Sequence, residues 1–381
     1  MLSRFRSKIL ALLLTLPVAG FALWWYSHPL PWFGVLMAFI SGSFTFLIIN
    51  AKRKMSLQRP LFIGLFGVFL GTILSVVYID NNTAAFLDWA HRHTIAYYRI
   101  GETVRSTVFP CTLTLSQVFL GRAANYFPST GSWLVSFPSS LHAFLLILIP
   151  FTVTTLLFGR SICGWICPFG GLPEAMVTGN KTRWSLNFLK KKSVVEDKKE
   201  IEGLQDWVKD VKYGVLLASL LLAVSLAFPA VCLLCPVFWL SSLPVFWVII
   251  GLMVVFALIL PFMTKKRWWC QICPLGALFA MTDKISIFRV HMDKKKCDRC
   301  MDCVYECRMY ALTPEGLDKD LKPDEDCIRC GRCIEVCPEK AADLYFFNTS
   351  VKARNIFISL TMVAILAWYT WFIFILLGKF G

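Results

Sequence analysis

Histidine is scarce in this chain, with only five in 381 residues. A haem held within a membrane usually needs histidines on facing helices, and of the five only His142 lies at the start of an apolar segment. The chain also lacks a Gly-x-Gly-x-x-Gly fingerprint, a P-loop and a Ser-Gly-Ala-Thr flavin-attachment sequence. These absences argue against a transmembrane bis-histidine haem, nucleotide-driven chemistry and a covalently attached flavin.

Acidic residues are also few, because 24 Asp and Glu stand against 39 Lys and Arg, for a formal net charge of +15. In a soluble chain this excess would suggest nucleic acid as the partner. However, 57% of the residues are hydrophobic and the mean hydropathy is +0.61, and long apolar runs alternate with short basic clusters. The composition therefore predicts an α-helical polytopic membrane protein with a lipid bilayer, and no nucleic acid, as partner.

Seven apolar segments are long enough to cross roughly 30 Å of hydrocarbon. The first has no convincing cleavage site, so we expect an uncleaved span and not a signal peptide. The fifth is short, and six or eight spans also fit the pattern. The seven predicted spans are 9–26, 32–49, 61–77, 141–158, 213–228, 245–262 and 355–377.

The loop charges predict the orientation of these spans. Basic clusters precede the first span and follow the second, the fourth and the sixth, whereas the connection 231–244 has no charge at all. Because positive loops stay on the cytoplasmic side, we expect a cytoplasmic N-terminus and an external C-terminal tail.

Five regions follow from this topology: N-terminal spans 1–79, an external connection 80–140, a transmembrane core 141–283, a cytoplasmic module 284–354 and a last span 355–381. The external connection is aromatic and basic, which suits helices lying on the membrane interface. We expect an interfacial loop there, with a quinone or partner site as the alternative. The segment 182–212 has charges of both signs, and it predicts a cytoplasmic helical linker without chemistry of its own.

The cytoplasmic module contains two copies of the spacing C-x2-C-x2-C-x3-C. In bacterial-type ferredoxins a close triplet holds one cubane cluster, and the fourth cysteine of each copy ligates the other cluster. Zinc sites or a disulfide scaffold are the alternatives, but zinc sites usually pair two C-x2-C knuckles. We therefore predict a small α+β domain with two [4Fe–4S] clusters. Cluster 1 is held by Cys297, Cys300, Cys303 and Cys337, and cluster 2 by Cys327, Cys330, Cys333 and Cys307.

The two copies differ after their fourth cysteine. Arg308 follows Cys307, whereas Pro338 follows Cys337. Positive charge near a cluster favours its reduced state. We therefore expect cluster 2, which Cys307 ligates, to have the higher reduction potential.

Two matched cysteine–proline motifs follow the fourth and sixth spans. They contain Cys163 and Cys167, before Pro168, and Cys270 and Cys273, before Pro274. Proline redirects each helix at the membrane face, and two such loops on one side could bring four sulfurs together for metal or redox chemistry. The alternative is that these are inert buried cysteines.

A third pair, Cys232 and Cys235, falls on the external side of the predicted topology. A C-x2-C pair in an oxidising compartment forms a disulfide or a dithiol couple, and two buried inert cysteines fit equally well. Cys111 stands alone and is expected to be inert.

The order of these motifs resembles that of the NapH/NosR-type membrane polyferredoxins over roughly the second half of the chain. The resemblance lies in Cys163-Gly-Trp-Ile-Cys167-Pro-Phe-Gly, in Arg-Trp-Trp-Cys270-Gln-Ile-Cys273-Pro-Leu-Gly and in the twin ferredoxin motif that follows. It implies a multi-pass protein of the prokaryotic cytoplasmic membrane that moves electrons between the quinone pool and reductases or supports metalloenzyme assembly. The chain departs from the family in its second motif, which is C-x2-C-P, in the external cysteine pair and in the missing flavin domain.

Three functions fit these features. The first is an electron-transfer subunit, a quinol dehydrogenase component, that works with other redox subunits and a quinone. The second is an assembly factor that reduces or relays a metal such as copper through the Cys-Pro thiols. The third is a sensor whose clusters report oxygen or iron, but no output domain is visible in the sequence.

Overall fold

A computed structural model describes residues 2–27, 31–64, 97–100, 103–106, 123–127, 132–136, 152–167, 170–171, 190–194, 200–226, 255, 259–347 and 349–377. Two long apolar helices open the chain, α1 (Leu2–Tyr26) and α2 (Pro31–Asn50). They pack as a pair, with the rings of Tyr26 and Phe33 5.8 Å apart. Among the described residues, α1 from Lys8 onward and α2 are the helices long and apolar enough to cross a membrane.

The other predicted spans are described in part. The helix α5 (Asp206–Leu226) contains most of the fifth span but begins earlier than 213. The helix α12 (Arg354–Leu377) coincides with the seventh span, and it contacts α1 through a 2.9 Å hydrogen bond from Ser359 Oγ to the carbonyl oxygen of Leu14. Residues 59–64 are π-helical and 152–157 are α-helical, while most of the third, fourth and sixth spans lies outside the described residues.

The prediction of interfacial helices in the external connection is wrong for the residues that the structure describes. They form two antiparallel hairpins, β1 (Tyr97–Ile100) with β2 (Thr103–Ser106) and β3 (Ala123–Phe127) with β4 (Ser132–Ser136). In the sequence Gly101 and Glu102 stand between the first two strands, and a two-residue connection that begins with glycine favours a tight hairpin. Local turn chemistry therefore outweighs the aromatic and basic composition on which the prediction relied.

The prediction of a helical linker over 182–212 is wrong for 190–194 and 200–204, which form strands, and it agrees with the structure for 206–212, which are helical. Strand β5 (Lys190–Val194) pairs with β6 (Glu200–Leu204), and α5 begins only at Asp206. Lys192 lies opposite Glu202 in the register, and opposite charges at facing positions stabilise a strand pair.

Short helices connect the membrane helices to the cysteine motifs. They are α3 (Lys54–Gln58), α4 (Ile162–Trp165), α6 (Leu260–Thr264), α7 (Trp268–Ile272) and α8 (Pro274–Thr282). Proline at the first position of α8 follows Cys273, so this second cysteine marks the bend between α7 and α8.

The module that contains the twin cysteine motifs is an α+β unit closed by one antiparallel strand pair, β7 (Phe288–Met292) with β8 (Ala342–Phe346). Between them lie α9 (Asp302–Tyr305), α10 (Pro314–Asp320) and α11 (Arg332–Val336). Each cysteine triplet runs into a short helix, α9 or α11. The buried ring of Phe357, from α12, packs 5.1 Å from Phe288 and 5.2 Å from Trp165, so one core joins the module to both α12 and α4.

Candidate iron–sulfur sites

The first cysteine triplet lies in the loop after β7. The backbone N–H of Cys297 donates to the carbonyl oxygen of Asp293 over 3.0 Å, and Met301 adopts a left-handed conformation that turns the chain into α9. Burial, together with the charges of neighbouring thiols, raises the pKa of Cys303 to about 12. These neighbours are, in decreasing order, Cys300, Cys297, Cys337 and Cys307.

Cys337 reaches this group from the second motif. It ends α11, and its sulfur accepts a 3.2 Å hydrogen bond from the backbone N–H of Ala341. The structure thus gathers the thiols predicted to hold cluster 1, and we call Cys297, Cys300, Cys303 and Cys337 the cluster-1 group.

The second triplet forms a corresponding group with Cys307. Burial raises the pKa of Cys333 well above its usual value, and the adjacent thiols of Cys327, Cys330 and Cys307 raise it further. Burial likewise raises the pKa of Cys307, and the charge of Cys330 adds to this effect. We call Cys327, Cys330, Cys333 and Cys307 the cluster-2 group.

The cysteines of the two Cys-Pro motifs form a third group. Cys163 lies on α4 and Cys167 just after it, whereas Cys270 lies on α7 and Cys273 at its end. Burial raises the pKa of Cys163 well above its usual value, and the charges of Cys270, Cys167 and Cys273 add to this effect. We call these four residues the Cys-Pro group.

The chemistry of each group limits the metals that it can bind. Thiols whose pKa is raised stay protonated until a metal replaces the proton, and all-sulfur donor sets suit iron–sulfur clusters, zinc and Cu(I). Two copies of C-x2-C-x2-C-x3-C are the pattern of paired cubane clusters, whereas zinc sites usually pair two C-x2-C knuckles. The ferredoxin groups therefore fit [4Fe–4S] clusters better than zinc.

The Cys-Pro group and the cluster-2 group share one apolar core. Buried Cys270, Met309, Ala311 and Ile328 form it, and four further cysteines pack against it. They are Cys163 from the Cys-Pro group and Cys307, Cys327 and Cys330 from the cluster-2 group. Residues of the two thiol groups therefore pack against the same apolar layer.

A buried ion cluster adjoins this layer. Asp326, next to Cys327, pairs with both Arg160 and Lys212. Burial alone would raise the pKa of Asp326, but the two cations outweigh it and hold the pKa below its usual value. Beside this cluster, Arg329 pairs with Asp283 over 2.6 Å. Each pair joins the cluster-2 loop to a segment far from it in the sequence.

Arg59 supplies a second connection between the same loops. Its side chain is fully buried and donates to the carbonyl oxygens of Gly164 (3.1 Å), Met55 (2.8 Å) and Cys330. Its guanidinium lies 4.5 Å from the ring centroid of Trp165. Glu335, within α11, accepts hydrogen bonds from the backbone N–H groups of Met55 (2.7 Å) and Ser56 (3.1 Å). The segment after α2 is thus docked onto the second ferredoxin motif.

Reasoning from sequence missed these supporting residues. Glu335 lies within the second cysteine motif and Asp326 directly before it. Arg59 and Lys212 belong to segments for which the sequence predicts no chemistry. Their partners are more than a hundred residues away, so no local pattern signals them. Cys111, His142, Cys232 and Cys235 lie outside the described residues.

Comparison with known proteins identifies the domains. A family model for a 4Fe-4S dicluster domain matches residues 296–342, and one for a 4Fe-4S binding domain matches 141–185 and 245–295. The first match contains both ferredoxin groups, and the second contains the Cys-Pro group. Iron–sulfur clusters are therefore the cofactors of this chain. No solved structure matches it.

Three relatives are similar over about half of the chain. An uncharacterized protein of Methanocaldococcus jannaschii is 32% identical over 209 residues, which are 55% of this chain and 80% of that protein. The ferredoxin-type protein NapH of Haemophilus influenzae is 28% identical over 48% of this chain and 60% of its own length. The regulatory protein NosR of Stutzerimonas stutzeri is 29% identical over 42% of this chain and 22% of its own. The chain belongs to the NapH/NosR-type polyferredoxin family and is an iron–sulfur protein of electron transfer.

Proposed function

We propose that this chain is a multi-pass membrane protein that passes electrons between the quinone pool, or another redox subunit, and two cytoplasmic [4Fe–4S] clusters. The observation that carries the proposal is the shared apolar core of the Cys-Pro and cluster-2 groups. It joins thiols of the Cys-Pro motifs to thiols of the ferredoxin module through apolar side chains, and a cluster supplies one-electron chemistry once it is bound.

Each ferredoxin group supplies four thiolates to one cluster, with Cys307 and Cys337 exchanged between the motifs. The charge of Cys337 raises the pKa of Cys303, and the charge of Cys307 raises the pKa of Cys333, which supports this exchange. The backbone N–H of Arg329 donates to the sulfur of Cys327 over 3.4 Å, and such hydrogen bonds tune cluster potentials. The protein thus supplies position and potential.

The expected path runs from the membrane face to cluster 2 and then to cluster 1. A quinol gives two electrons and two protons on oxidation, and each [4Fe–4S] cluster accepts one electron. Cluster 1 is the more exposed end, because its loop includes the exposed residues Lys294, Lys295, Asp298 and Arg299. A soluble or membrane-bound redox partner would exchange electrons there.

Seven spans, with the N-terminus and the ferredoxin module in the cytoplasm, complete the proposal. The described helices α1, α2, α5 and α12 are consistent with four of these spans. The five regions predicted from sequence, 1–79, 80–140, 141–283, 284–354 and 355–381, remain the proposed division of the chain.

The test is to add a quinol analogue to the oxidised, anaerobically purified protein and to follow cluster reduction by absorbance and electron paramagnetic resonance. We expect both ferredoxin clusters to be reduced. A variant with Cys303→Ala, which removes a cluster-1 ligand, should still show reduction of cluster 2. Clusters that dithionite reduces but quinol does not would contradict the quinone reaction.

An assembly factor that relays copper through the Cys-Pro thiols is the second candidate. Their all-sulfur donor set suits Cu(I), which favours it. It predicts stoichiometric copper binding that is lost in Cys163→Ala, together with no reduction by quinol. Metal analysis of the same preparations therefore separates the two functions.

A further inference from the structure

Basic side chains gather where α2 ends and α12 begins. Lys54, on α3, donates a 3.1 Å hydrogen bond from Nζ to the side-chain oxygen of Asn355, on the first turn of α12. This contact joins two segments that lie 301 residues apart in the chain. Both segments are rich in cations, which we call the basic patch: Lys52, Arg53, Lys54, Lys352 and Arg354.

Asp343 supplies negative charge to this patch from β8. The buried carboxylate has its Oδ2 2.9 Å from Nζ of Lys352 and its Oδ1 3.8 Å from Nε of Arg354. Burial lowers the pKa of Lys54, the charge of Arg354 lowers it further, and Asp343 offsets these effects only in part. One carboxylate therefore serves three cations from two segments.

A second carboxylate, that of Glu335, is engaged by the same segment. Its Oε1 accepts hydrogen bonds from the backbone N–H groups of Met55 (2.7 Å) and Ser56 (3.1 Å), and its Oε2 accepts from the hydroxyl of Ser56. Lys52 and Arg53 are exposed. The patch therefore presents an excess of positive charge at the surface of the protein.

Exposed apolar side chains flank the basic residues at the start of α12. Val351 is 57% exposed and Ile356 is 42% exposed, and Lys352 and Arg354 lie between them in the chain. The apolar helices α2 and α12 are two of the proposed spans, so their ends at Asn50 and Arg354 lie at the level of the lipid headgroups. A ligand at this level meets positive charge and apolar surface together.

An anionic phospholipid has this combination of properties. Its phosphate accepts charge-assisted hydrogen bonds from Lys and Arg, and its acyl chains pack on apolar side chains. Basic pockets beside membrane helices on the cytoplasmic side are typical binding sites for such headgroups. A soluble acidic protein would match the charge of the patch but not its place at the ends of two spans.

We propose that the basic patch binds the phosphate of an anionic phospholipid from the cytoplasmic leaflet. The lipid bridges the segment after α2 and the start of α12, and so holds the ferredoxin module at the membrane surface. This inference rests on the topology given in the proposed function and is independent of the electron path.

The experiment is a lipid titration of the anaerobically purified full chain in detergent, followed by native mass spectrometry. The probes are phosphatidylglycerol and phosphatidylcholine with the same acyl chains, and inorganic phosphate as a competitor at equal concentration. We expect phosphatidylglycerol to bind at least about tenfold more tightly than phosphatidylcholine and to resist displacement by phosphate. Equal affinities for the two lipids, or complete displacement by phosphate, would overturn the lipid site.

A double variant assigns the binding to the patch. Lys52→Gln/Arg53→Gln removes two exposed charges and leaves the pairs with Asp343 in place. We expect its affinity for phosphatidylglycerol to fall by about tenfold and its affinity for phosphatidylcholine to stay unchanged. The matched control is Lys319→Gln/Lys322→Gln, which removes two exposed charges outside the patch and should behave as the wild type. Equal effects of the two double variants overturn the assignment.

Lys54→Gln provides a second readout. The substitution removes the charge but retains a polar side chain opposite Asn355. We expect phosphatidylglycerol to raise the thermal unfolding temperature of the wild type by more than that of this variant. An equal rise in both proteins contradicts a role for Lys54.

The quinol-reduction assay on the same preparations separates this inference from the proposed function. Clusters that quinol reduces, in a chain without preference for phosphatidylglycerol, overturn the lipid site and leave the electron path standing. A clear lipid preference in a chain whose clusters quinol does not reduce supports the lipid site and contradicts the quinone reaction.

Discussion

Trp165 donates a 2.8 Å hydrogen bond from its indole Nε1 to the carbonyl oxygen of Arg329. The indole is fully buried, Trp165 lies between the two cysteines of the first Cys-Pro motif, and Arg329 lies between two cysteines of the second ferredoxin triplet. With Arg59 packed over the ring, this contact holds the first Cys-Pro loop against the cluster-2 loop. A short and fixed separation between these loops is what the proposed electron transfer requires.

Replacing Trp165 with Phe should weaken this junction. The substitution retains most of the ring but leaves the carbonyl oxygen of Arg329 buried and unpaired, which costs about 1–3 kcal/mol. We expect a lower thermal unfolding temperature and faster loss of cluster absorbance on heating. Trp207→Phe is the matched control, because that indole is 57% exposed. Equal effects of the two substitutions would contradict the role given to Trp165.

Gly164 should not tolerate alanine. A Cβ at this position would lie 2.7 Å from the carbonyl oxygen of Ile328, so the α4 segment and the cluster-2 loop would have to separate. Such overpacking costs about 1–3 kcal/mol. We expect Gly164→Ala to lower the thermal stability of the protein and to slow electron transfer between the membrane-face thiol site and cluster 2.

The matched control for this substitution is Gly214→Ala on α5. No atom lies within 4 Å of a Cβ added there, and alanine favours a helix by about 0.5–1 kcal/mol over glycine. Unchanged or slightly raised stability is expected. A Gly164→Ala protein as stable as wild type would refute the close approach.

Asp326→Asn should be strongly destabilising. The carboxylate neutralises buried Arg160 and Lys212, and removal of one partner from a buried ion cluster costs about 3–5 kcal/mol. Denaturant unfolding of the purified protein measures this loss. Glu325→Gln, at the neighbouring position, removes an exposed pair with Lys284 and should cost about 0–1 kcal/mol. Similar losses for both variants would show that the Asp326 cluster is not a stabilising element.

The two ferredoxin clusters should differ in potential, with cluster 2 higher. Besides buried Arg308, the ammonium of Lys266 donates to the carbonyl oxygen of Cys307 over 2.9 Å, and its charge lowers the pKa of this thiol against the larger effect of burial. Lys266→Met should therefore lower the cluster-2 potential by on the order of tens of millivolts. Redox titration followed by electron paramagnetic resonance measures both midpoints.

Lys265→Met is the control for this shift, because the Lys265 ammonium lies 5.5 Å from the ring centroid of Phe262 on α6. The cluster potentials of the Lys265→Met variant should match those of the wild type within a few millivolts. Equal midpoint potentials of the two clusters in the wild-type protein would contradict the prediction.

The topology can be tested with membrane-impermeant thiol reagents in intact cells. We expect reagents applied from outside to reach Cys232 or Cys235, after reduction if the pair is bridged. A cysteine introduced as Lys191→Cys should react only after the membrane is opened. External labelling at position 191 would reverse the orientation.

The iron–sulfur chemistry could be predicted from the cysteine spacing alone, because this spacing is a local property. Eight thiols in two C-x2-C-x2-C-x3-C copies specify two close triplets, and the fourth cysteine of each copy ligates the other cluster. The apolar helices α1, α2 and α12 were also predictable, because their runs of apolar side chains are continuous. Predictions of helix from composition were wrong where the chain forms hairpins, as in β1–β2 and β5–β6.

Only the tertiary structure decided how the centres are joined. Arg59, Arg160 and Lys212 read as ordinary basic loop residues, and their burial beside the cysteines depends on partners such as Asp326 and Cys330, far away in the chain. Two loops separated by about a hundred residues meet at Cys163 and Cys270 because helices and an apolar core bring them together. Spacing along a chain cannot specify such a contact, since it arises from packing among segments that share no local pattern.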